Sequence, residues 1–489
     1  MTRETLRTRM GWLHAWVGFV CGLALVCIFA TGTLAVFDTE ITRWMQPEIP
    51  ALANAQPTDI ALDRASRMVR DQQARGMPAF LVLPSARSSV LEILHYDGHE
   101  FVGDILDPRT GATIPARATA GGKFFYDFHY SLRGGGVIGV GLVNVLGTGL
   151  LVAVGAGIVI HLRALLPDLV MLRLSVSRIR SWLDAHLLAG VLFLPFTVMM
   201  GYTGVLVHAD RILPATPLAT IFRHDAAPAR LPSAFPSALS PVPPLRPLLE
   251  TARLRLGGRD CGFILFSPDR LGVFASDASG PFMTRDHVDF GLPDGRVLGT
   301  TITRGPVATT LQLMHGLHYA RFLPLSLRWL YFVSGLCSTA AIASGMVLFL
   351  MKRRRKSGHR AAFRIAEGLC IATITGLPVG ILSFLWGNRL LPATLTGREM
   401  LEIDVFFFIW AVCGLHGIIR SCTTSPLSGW REQLVATAAL GCGLPLLDAV
   451  GDATAWRQWS GIHAGIDGMG ALFGVVAACV ARHMKDRAA

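Results

Sequence analysis

The sequence predicts a mainly α, polytopic membrane protein of about eight transmembrane helices, in which a unit of helix, exported α+β domain and helix is written twice. Three observations lead there. Hydrophobic residues make up 52% of the 489 and charged ones only 16%, a balance typical of chains that live in a bilayer. Eight stretches reach or approach the roughly 20 apolar residues that a span requires. The first of them also recurs: His14 and Gly18 of HAWVG are matched 172 residues later by His186 and Gly190 of HLLAG, Thr31-Gly32 by Thr203-Gly204, and Asp38 by Asp210.

The spans fall near 11–37, 137–160, 187–207, 329–350, 368–386, 405–419, 434–447 and 464–481. The first is long and has no small-residue cleavage site at its end, so it is expected to remain in the mature protein as a helix. Residues 38–136 then read as a helix over 60–73, short β segments at 80–83, 89–95 and 101–105, and a turn at Asp107-Pro108-Arg109-Thr110-Gly111. Residues 210–328, after the third span, read as a Pro-rich lead-in at 237–247, a helix over 248–256 and a hairpin of 262–266 with 270–276. Each segment is expected to form a small domain of its own between two helices.

The even-numbered spans repeat as well. Phe128-His129-Tyr130 precedes the second and Leu317-His318-Tyr319 the fourth, while Gly147 and Gly157 match Gly335 and Gly345 at a spacing of 188, one residue less than the histidine spacing. Residues 1–355 thus form a duplicated core, and 358–489 a separate four-helix membrane module. Its seventh span is short and its eighth contains Asp467. Glu402, Asp404, Asp448 and Asp452 read as solvated helix ends.

Orientation follows from the basic residues of the short loops. Arg3, Arg7 and Arg9 precede the first span, Arg163, Arg173, Arg178 and Arg180 separate the second from the third, Lys352-Arg353-Arg354-Arg355-Lys356 follows the fourth, and Arg482, Lys485 and Arg487 close the chain. All fall on one side, which makes both termini cytoplasmic. The formal charge of +12 then reflects topology and contact with anionic lipid, and a nucleic acid is not an expected partner.

Histidines carry the chemistry. His14, His161 and His186 collect at the cytoplasmic ends of the first three spans, and His129, His315 and His318 at the outer ends of the second and fourth. A lone histidine at a membrane boundary is ordinarily an interfacial side chain, and His95, His99, His416 and His463 are read that way. Two opposed layers in repeated positions are different, because ionisable groups are costly in lipid and two imidazoles on facing helices can clamp one haem. The glycine four residues after the ligand lies on the same helix face and leaves room for the porphyrin. Pseudo-symmetry pairs His14 with His186 and His129 with His318, with His161 and His315 as substitutes or neighbours. Two b-type haems stacked across the bilayer are therefore expected, held without covalent attachment because the sequence has no CxxC pair.

Five motifs stand out: Trp12-Leu13-His14-Ala15-Trp16-Val17-Gly18, Phe124-Phe125-Tyr126-Asp127-Phe128-His129-Tyr130, Arg180-Ser181-Trp182-Leu183-Asp184-Ala185-His186, His315-Gly316-Leu317-His318-Tyr319-Ala320-Arg321-Phe322 and Arg328-Trp329-Leu330-Tyr331-Phe332. Together they resemble the PepSY-associated transmembrane family. The resemblance covers about residues 1–355 and makes the inserted segments PepSY-like. Characterised relatives include haem-containing reductases of ferric siderophores in the bacterial inner membrane, so it implies iron acquisition, with a ferric siderophore or other ferric chelate as substrate. This chain carries Arg133 and Thr197 where many relatives have further histidines. No cytoplasmic segment is long enough for a nicotinamide or flavin domain, which leaves membrane quinol or a separate cytoplasmic reductase as electron donor. Two other readings stand beside this one: a transporter built on the repeat, and a regulatory membrane protein without redox activity.

Overall fold

The computed structural model describes residues 5–50, 56–96, 101–133, 136–161, 173, 177–209, 240–423, 425–451 and 461–486. Arg3, His99, Arg163, Asp210, Asp452, Arg487 and the first part of the Pro-rich lead-in lie outside them. In chain order the first helices are α1 (Leu6–Ala35), α2 (Asp38–Met45), α3 (Asp59–Ala74), α4 (Lys123–Ser131), α5 (Gly136–His161), α6 (Arg178–Leu192), α7 (Leu194–Val207) and α8 (Leu245–Arg255). They are followed by α9 (Pro306–Tyr319), α10 (Leu325–Ser357), α11 (Ala361–Ile371), α12 (Leu377–Leu390), α13 (Arg398–Thr423), α14 (Pro426–Gly451) and α15 (Gly461–Asp486). The strands are β1 (Ala79–Val82), β2 (Leu91–Tyr96), β3 (Phe101–Leu106), β4 (Cys261–Phe266), β5 (Arg270–Ala275), β6 (His287–Gly291) and β7 (Val297–Thr301).

Two compact units result, one from Met1–Pro47, Arg117–Val205 and Ser326–Ala489, the other from Glu48–Ala116 and Leu206–Leu325. In the first, the seven helices α1, α5, α10, the run Ala361–Leu390, α13, α14 and α15 are long and apolar enough to cross a membrane, and α6 with α7 is an apolar pair bent by 65° at a short break. Seven of the eight expected spans are present among the described residues as helices long and apolar enough to cross, and the bent pair stands where the third was expected. The third is not one straight helix: Pro195 follows Leu194, and a proline both lacks the amide proton and crowds the preceding turn, so the ladder breaks at Phe193. A π turn at Ala372–Gly376 interrupts the fifth. The seventh is a helix of 26 residues, longer than its apolar stretch.

The four C-terminal spans do not pack by themselves. Phe124, Phe125 and Phe128 of α4 share one core with Phe384 of α12 and Phe406 of α13, together with Trp44 and Met45 of α2. The rings of Phe124 and Phe384 stack with centroids 4.8 Å apart, within the range of favourable aromatic pairs. Residues 38–47 and 117–136, expected in the inserted segment, belong to this helical unit.

The second unit corrects the expectation of two small domains. Its strands form a single antiparallel sheet in the order β3-β2-β1-β4-β5-β6-β7. β1 of the first inserted segment pairs with β4 of the second, Leu81 opposite Ile264. The first segment contributes a helix and three successive strands and the second a helix and four, so the duplication runs through the sheet with one strand added in the second copy. α3 and α8 cover one face through Leu62, Val69, Leu248 and Ala252, which bury Leu81, Ile93, Ile264, Val273 and Phe290. Thr58 caps α3 by accepting the Ala61 amide at 3.2 Å. On the other face the rings of Phe80, Phe263, Phe274 and His287 form a row across four strands, with neighbouring centroids 5.9, 4.4 and 4.6 Å apart.

Candidate functional site

In the helical unit the duplicated histidines meet. His14 on α1 and His186 on α6 stand with ring centroids 6.0 Å apart and planes at 68°. Each ring is held the same way. His14 Nδ1–H donates to the Ala153 carbonyl of α5 at 2.8 Å, and His186 Nδ1–H donates to the Ala341 carbonyl of α10 at 2.8 Å. A carbonyl only accepts, so both rings carry their proton on Nδ1 and present Nε2 as the coordinating nitrogen. Such a backbone bond is the usual means of orienting a metal-ligating imidazole and raising its basicity.

Glycines make this contact fit. A Cβ on Gly157 would stand 3.1 Å from His14 Cε1, and one on Gly345 would stand 3.0 Å from His186 Cε1. The acceptor and the glycine that receive each ring are thus Ala153 and Gly157 in one copy, Ala341 and Gly345 in the other, again 188 residues apart. At Gly18 and Gly190, the glycines one turn after the histidines, no atom lies within 4 Å of where a Cβ would be. The helix surface one turn after each histidine is therefore open.

Further contacts cross between the copies. A Cβ on Gly335 of α10 would overlap Thr33 of α1, and one on Gly147 of α5 would touch Val205 of α7 at 3.0 Å. Thr33 and Val205 are 172 residues apart and the two glycines 188, so the same packing is built twice. The matched glycines were legible as a repeat, but nothing local announced that they receive histidines and close helix crossings.

The donor set fits haem. Both rings present Nε2, the nitrogen through which a histidine would hold haem iron. Among the described residues no three or more His, Cys, Asp or Glu side chains gather as a metal site. His161, at the end of α5, and Lys352 are near enough for their charges to be felt at His186.

His129 on α4 is also anchored on a carbonyl, donating Nδ1–H to Ile28 O of α1 at 2.7 Å. Gly32 makes the room: a Cβ there would stand 2.5 Å from His129 Nδ1. In the other unit, His315 folds back on its own helix, Nδ1–H to Leu311 O at 2.7 Å. His318 lies with its ring 6.0 Å from that of Tyr319. α4 and α9 both end on a left-handed residue, Leu132 with φ 50° and Ala320 with φ 55°. His129 is three residues before that cap and His318 two, so the one-residue slip in the repeat lies inside the helix, and the two histidines leave it in different directions.

Thr197, where many relatives are expected to have histidine, is buried and bonds Ser338 Oγ at 2.8 Å. Arg133 lies with its guanidinium 5.8 Å from the Phe124 ring centre. Glu402 is not a solvated helix end: it and Arg398 are both 0% exposed and ion-paired. Its carboxylate accepts from Thr119 Oγ1 at 2.7 Å, the Ala120 amide at 3.0 Å and Asn388 Nδ2 at 2.7 Å. This network ties the segment leading into α4 to the C-terminal helices. His416, read as an ordinary interfacial ring, bonds Glu432 at 2.7 Å and Gln433 at 3.2 Å.

The family model described as the PepSY-associated TM region matches residues 11–352. An uncharacterized protein of Pseudomonas aeruginosa is 28% identical over 266 residues, a match covering 48% of this chain and 64% of that relative. The chain therefore spans less than two thirds of the curated relative's length.

Proposed function

The chain belongs to the PepSY-associated TM family, and from that premise we propose that it is a multi-pass membrane haem protein that passes electrons across the bilayer to ferric iron held in a chelate. The observation that carries this reading is the His14 and His186 pair, two rings 6.0 Å apart, each locked by a neighbouring helix at a repeated position. Haem b bound between them would supply reversible one-electron exchange. The chain's own contribution is orientation. Ala153 and Ala341 fix the tautomer, Gly157 and Gly345 admit the rings, and Gly18 and Gly190 leave the helix surface one turn on open. His129, with its ring anchored on Ile28, is the candidate ligand for a second haem in the helical unit, and His161 is a neighbour of the first.

The basic loops support termini in the cytoplasm and an inner-membrane location. Electrons then come from membrane quinol or a separate cytoplasmic reductase. The acceptor is a ferric siderophore or other ferric chelate, whose Fe(III) takes one electron to become Fe(II) and so leaves an oxygen-rich site more readily.

The test is a dithionite-reduced minus oxidised visible spectrum of the purified protein, with a pyridine haemochrome assay for stoichiometry. Sharp b-type bands that weaken in His14→Ala and His186→Ala support the reading. A colourless protein purified from haem-replete cells sinks it and favours the transporter.

A further inference from the structure

A chain of polar side chains runs through the C-terminal helices at the end where Arg364 of α11 bonds the Cys422 carbonyl of α13 at 3.0 Å, the side of the basic loops. Glu432 on α14 forms a forked ion pair with Arg420 on α13, Nε to Oε2 at 2.8 Å and Nη2 to Oε1 at 2.6 Å. Its Oε2 also accepts from His416 Nε2–H at 2.7 Å. Gln433, next in the chain and 3% exposed, donates Nε2–H to the Cys413 carbonyl at 2.7 Å and to His416 Nδ1 at 3.2 Å. A carboxylate only accepts and an amide nitrogen only donates, so His416 carries its proton on Nε2 and has both ring nitrogens engaged. Gln433 Oε1 in turn accepts from Thr375 Oγ1 at 2.9 Å. Thr375 lies in the π turn of the fifth span, a feature that recurs at functional sites.

The outer end of this chain is open. The His416 and Glu432 side chains are 32% and 41% exposed, and Val412, Leu415, Ile419 and Val435 around them are exposed and apolar. His416 lies seven residues before the end of α13 and Glu432 six after the start of α14, about 10 Å in from the helix ends at 1.5 Å per residue. Ionisable groups open to the side at that depth, in helices apolar enough to span, are costly in lipid and mark a functional site. A ligand that reaches them from the side is lipid-soluble. Arg420 and His416 fill three of the four lone-pair positions of the Glu432 carboxylate, which leaves Oε1 one position for a further donor among the described residues. The charge of Arg420 is already met by Glu432, so an anionic headgroup would face a carboxylate and find no uncommitted cation. A ring hydroxyl carried on an apolar tail satisfies both the acceptor and its apolar surroundings.

Inward, Trp430, two residues before Glu432, packs on the core that holds Phe19 of α1 with Met346 and Phe349 of α10, and Ala15, next to His14, packs on the same core. The Phe19 and Phe349 rings stack with centroids 4.0 Å apart. Apolar and aromatic side chains thus fill the way from Glu432 to the helix that carries His14. We propose that Glu432, His416 and Arg420 form the site where a membrane quinol binds and gives up its protons. The quinol hydroxyl donates to Glu432 Oε1. On oxidation to the quinone both O–H bonds break, the two protons pass in turn to the Glu432 and His416 pair and leave on the side of the basic loops, and the two electrons go one at a time to ferric haem iron, which becomes ferrous. This step rests on the proposed function for its electron acceptor, whereas the binding site does not. Arg420, Gln433 and Thr375 are positioning residues, the first holding the carboxylate and the other two the imidazole.

Calorimetry of decylubiquinone binding to the full-length protein in nanodiscs, and stopped-flow reduction of the b-type bands by decylubiquinol, test it in wild type, Glu432→Gln and Leu415→Trp. Saturable binding is expected in wild type, weakened by about tenfold in Glu432→Gln, the loss of one hydrogen bond to a charged group. Leu415→Trp, which narrows the lateral approach and leaves the polar groups in place, should weaken it as well. Reduction by decylubiquinol should slow by about a hundredfold in Glu432→Gln, with the dithionite-reduced spectrum unchanged. A wild type that binds no decylubiquinone overturns the proposal and needs no variant to fold; binding that both variants keep overturns it too. Co-purification of an anionic phospholipid that Glu432→Gln alters, without quinone binding, also overturns it and gives the cluster to a headgroup. Glu432-dependent binding in a colourless preparation rejects the haem reading and leaves this site standing, and b-type bands in a protein that binds no quinone do the reverse.

Discussion

Replacing Gly32 with alanine tests whether His129 is held as the structure has it. The new Cβ would stand 2.5 Å from His129 Nδ1 and 2.7 Å from Cε1, whereas non-bonded heavy atoms settle near about 3.5 Å. Ring or helix must therefore yield by about 1 Å. The bond from Nδ1 to Ile28 O is 2.7 Å long, and lengthened by that amount it is no longer a hydrogen bond. Overpacking costs about 1–3 kcal/mol and the lost bond about 1 kcal/mol. The better helix propensity of alanine returns up to about 1 kcal/mol. A net destabilisation of about 1–3 kcal/mol is expected for Gly32→Ala. Gly155 on α5 is the control, because no atom lies within 4 Å of its Cβ position, so Gly155→Ala should be neutral or slightly stabilising. The assay is thermal unfolding of the detergent-solubilised protein, with the visible spectrum of each sample recorded alongside. Gly32→Ala should unfold earlier and lose or shift only the part of the spectrum that His129→Ala also removes. If it unfolds with wild type and leaves the spectrum unaltered, the placement of His129 against α1 is wrong.

Gly157→Ala and Gly345→Ala each press on one of the facing imidazoles by a few tenths of an ångström. In a potentiometric titration both should move the same component, and the double variant should depart from additivity; movement of two different components would separate His14 from His186. Glu402→Ala strips a fully buried Arg398 of its carboxylate, a loss worth about 3–5 kcal/mol in comparable buried pairs. A large fall in unfolding temperature is expected, and an unchanged one would show that the network contributes nothing. In the sheet unit, the side-chain hydrogen bond to Asp289 holds the His287 pKa above its usual value, against the opposing effect of burial. Its stabilisation is complete below about pH 6.5, the ordinary value, and is lost as pH rises through the higher folded value. Wild type should therefore exceed Asp289→Asn in stability on the acid side, with the gap closing at alkaline pH; a gap that widens with pH contradicts the pairing.

Hydropathy made the spans legible because membrane helices satisfy their own backbone and must be apolar along their length. It did not reveal the 65° bend in the third, although Pro195 was in plain view. A proline in a span can be tolerated or can break it, depending on what lies around it. The duplicated histidines were legible for the same reason that they matter, being costly residues kept twice. Their partners were not, because Ala153 and Ala341 act through backbone carbonyls that any residue supplies. Glu402 and Asp448 looked like solvated helix ends because burial there comes from α12 and residues 118–120, distant in the chain. The single sheet was hidden likewise, since no local pattern tells β1 that its neighbour is β4.

That pairing of β1 with β4 sets an order on biosynthesis. Val82 leaves the ribosome about 180 residues before its partner strand, roughly 10–35 s at ordinary elongation rates, and α5, α6 and α7 must be made in between. Throughout that interval the first half of the sheet has an open edge with unpaired backbone groups, the kind of surface that recruits other strands. Completion of the sheet is consequently a late, long-range closure, and chains stalled or truncated between residues 106 and 261 should be the ones that aggregate or require a chaperone.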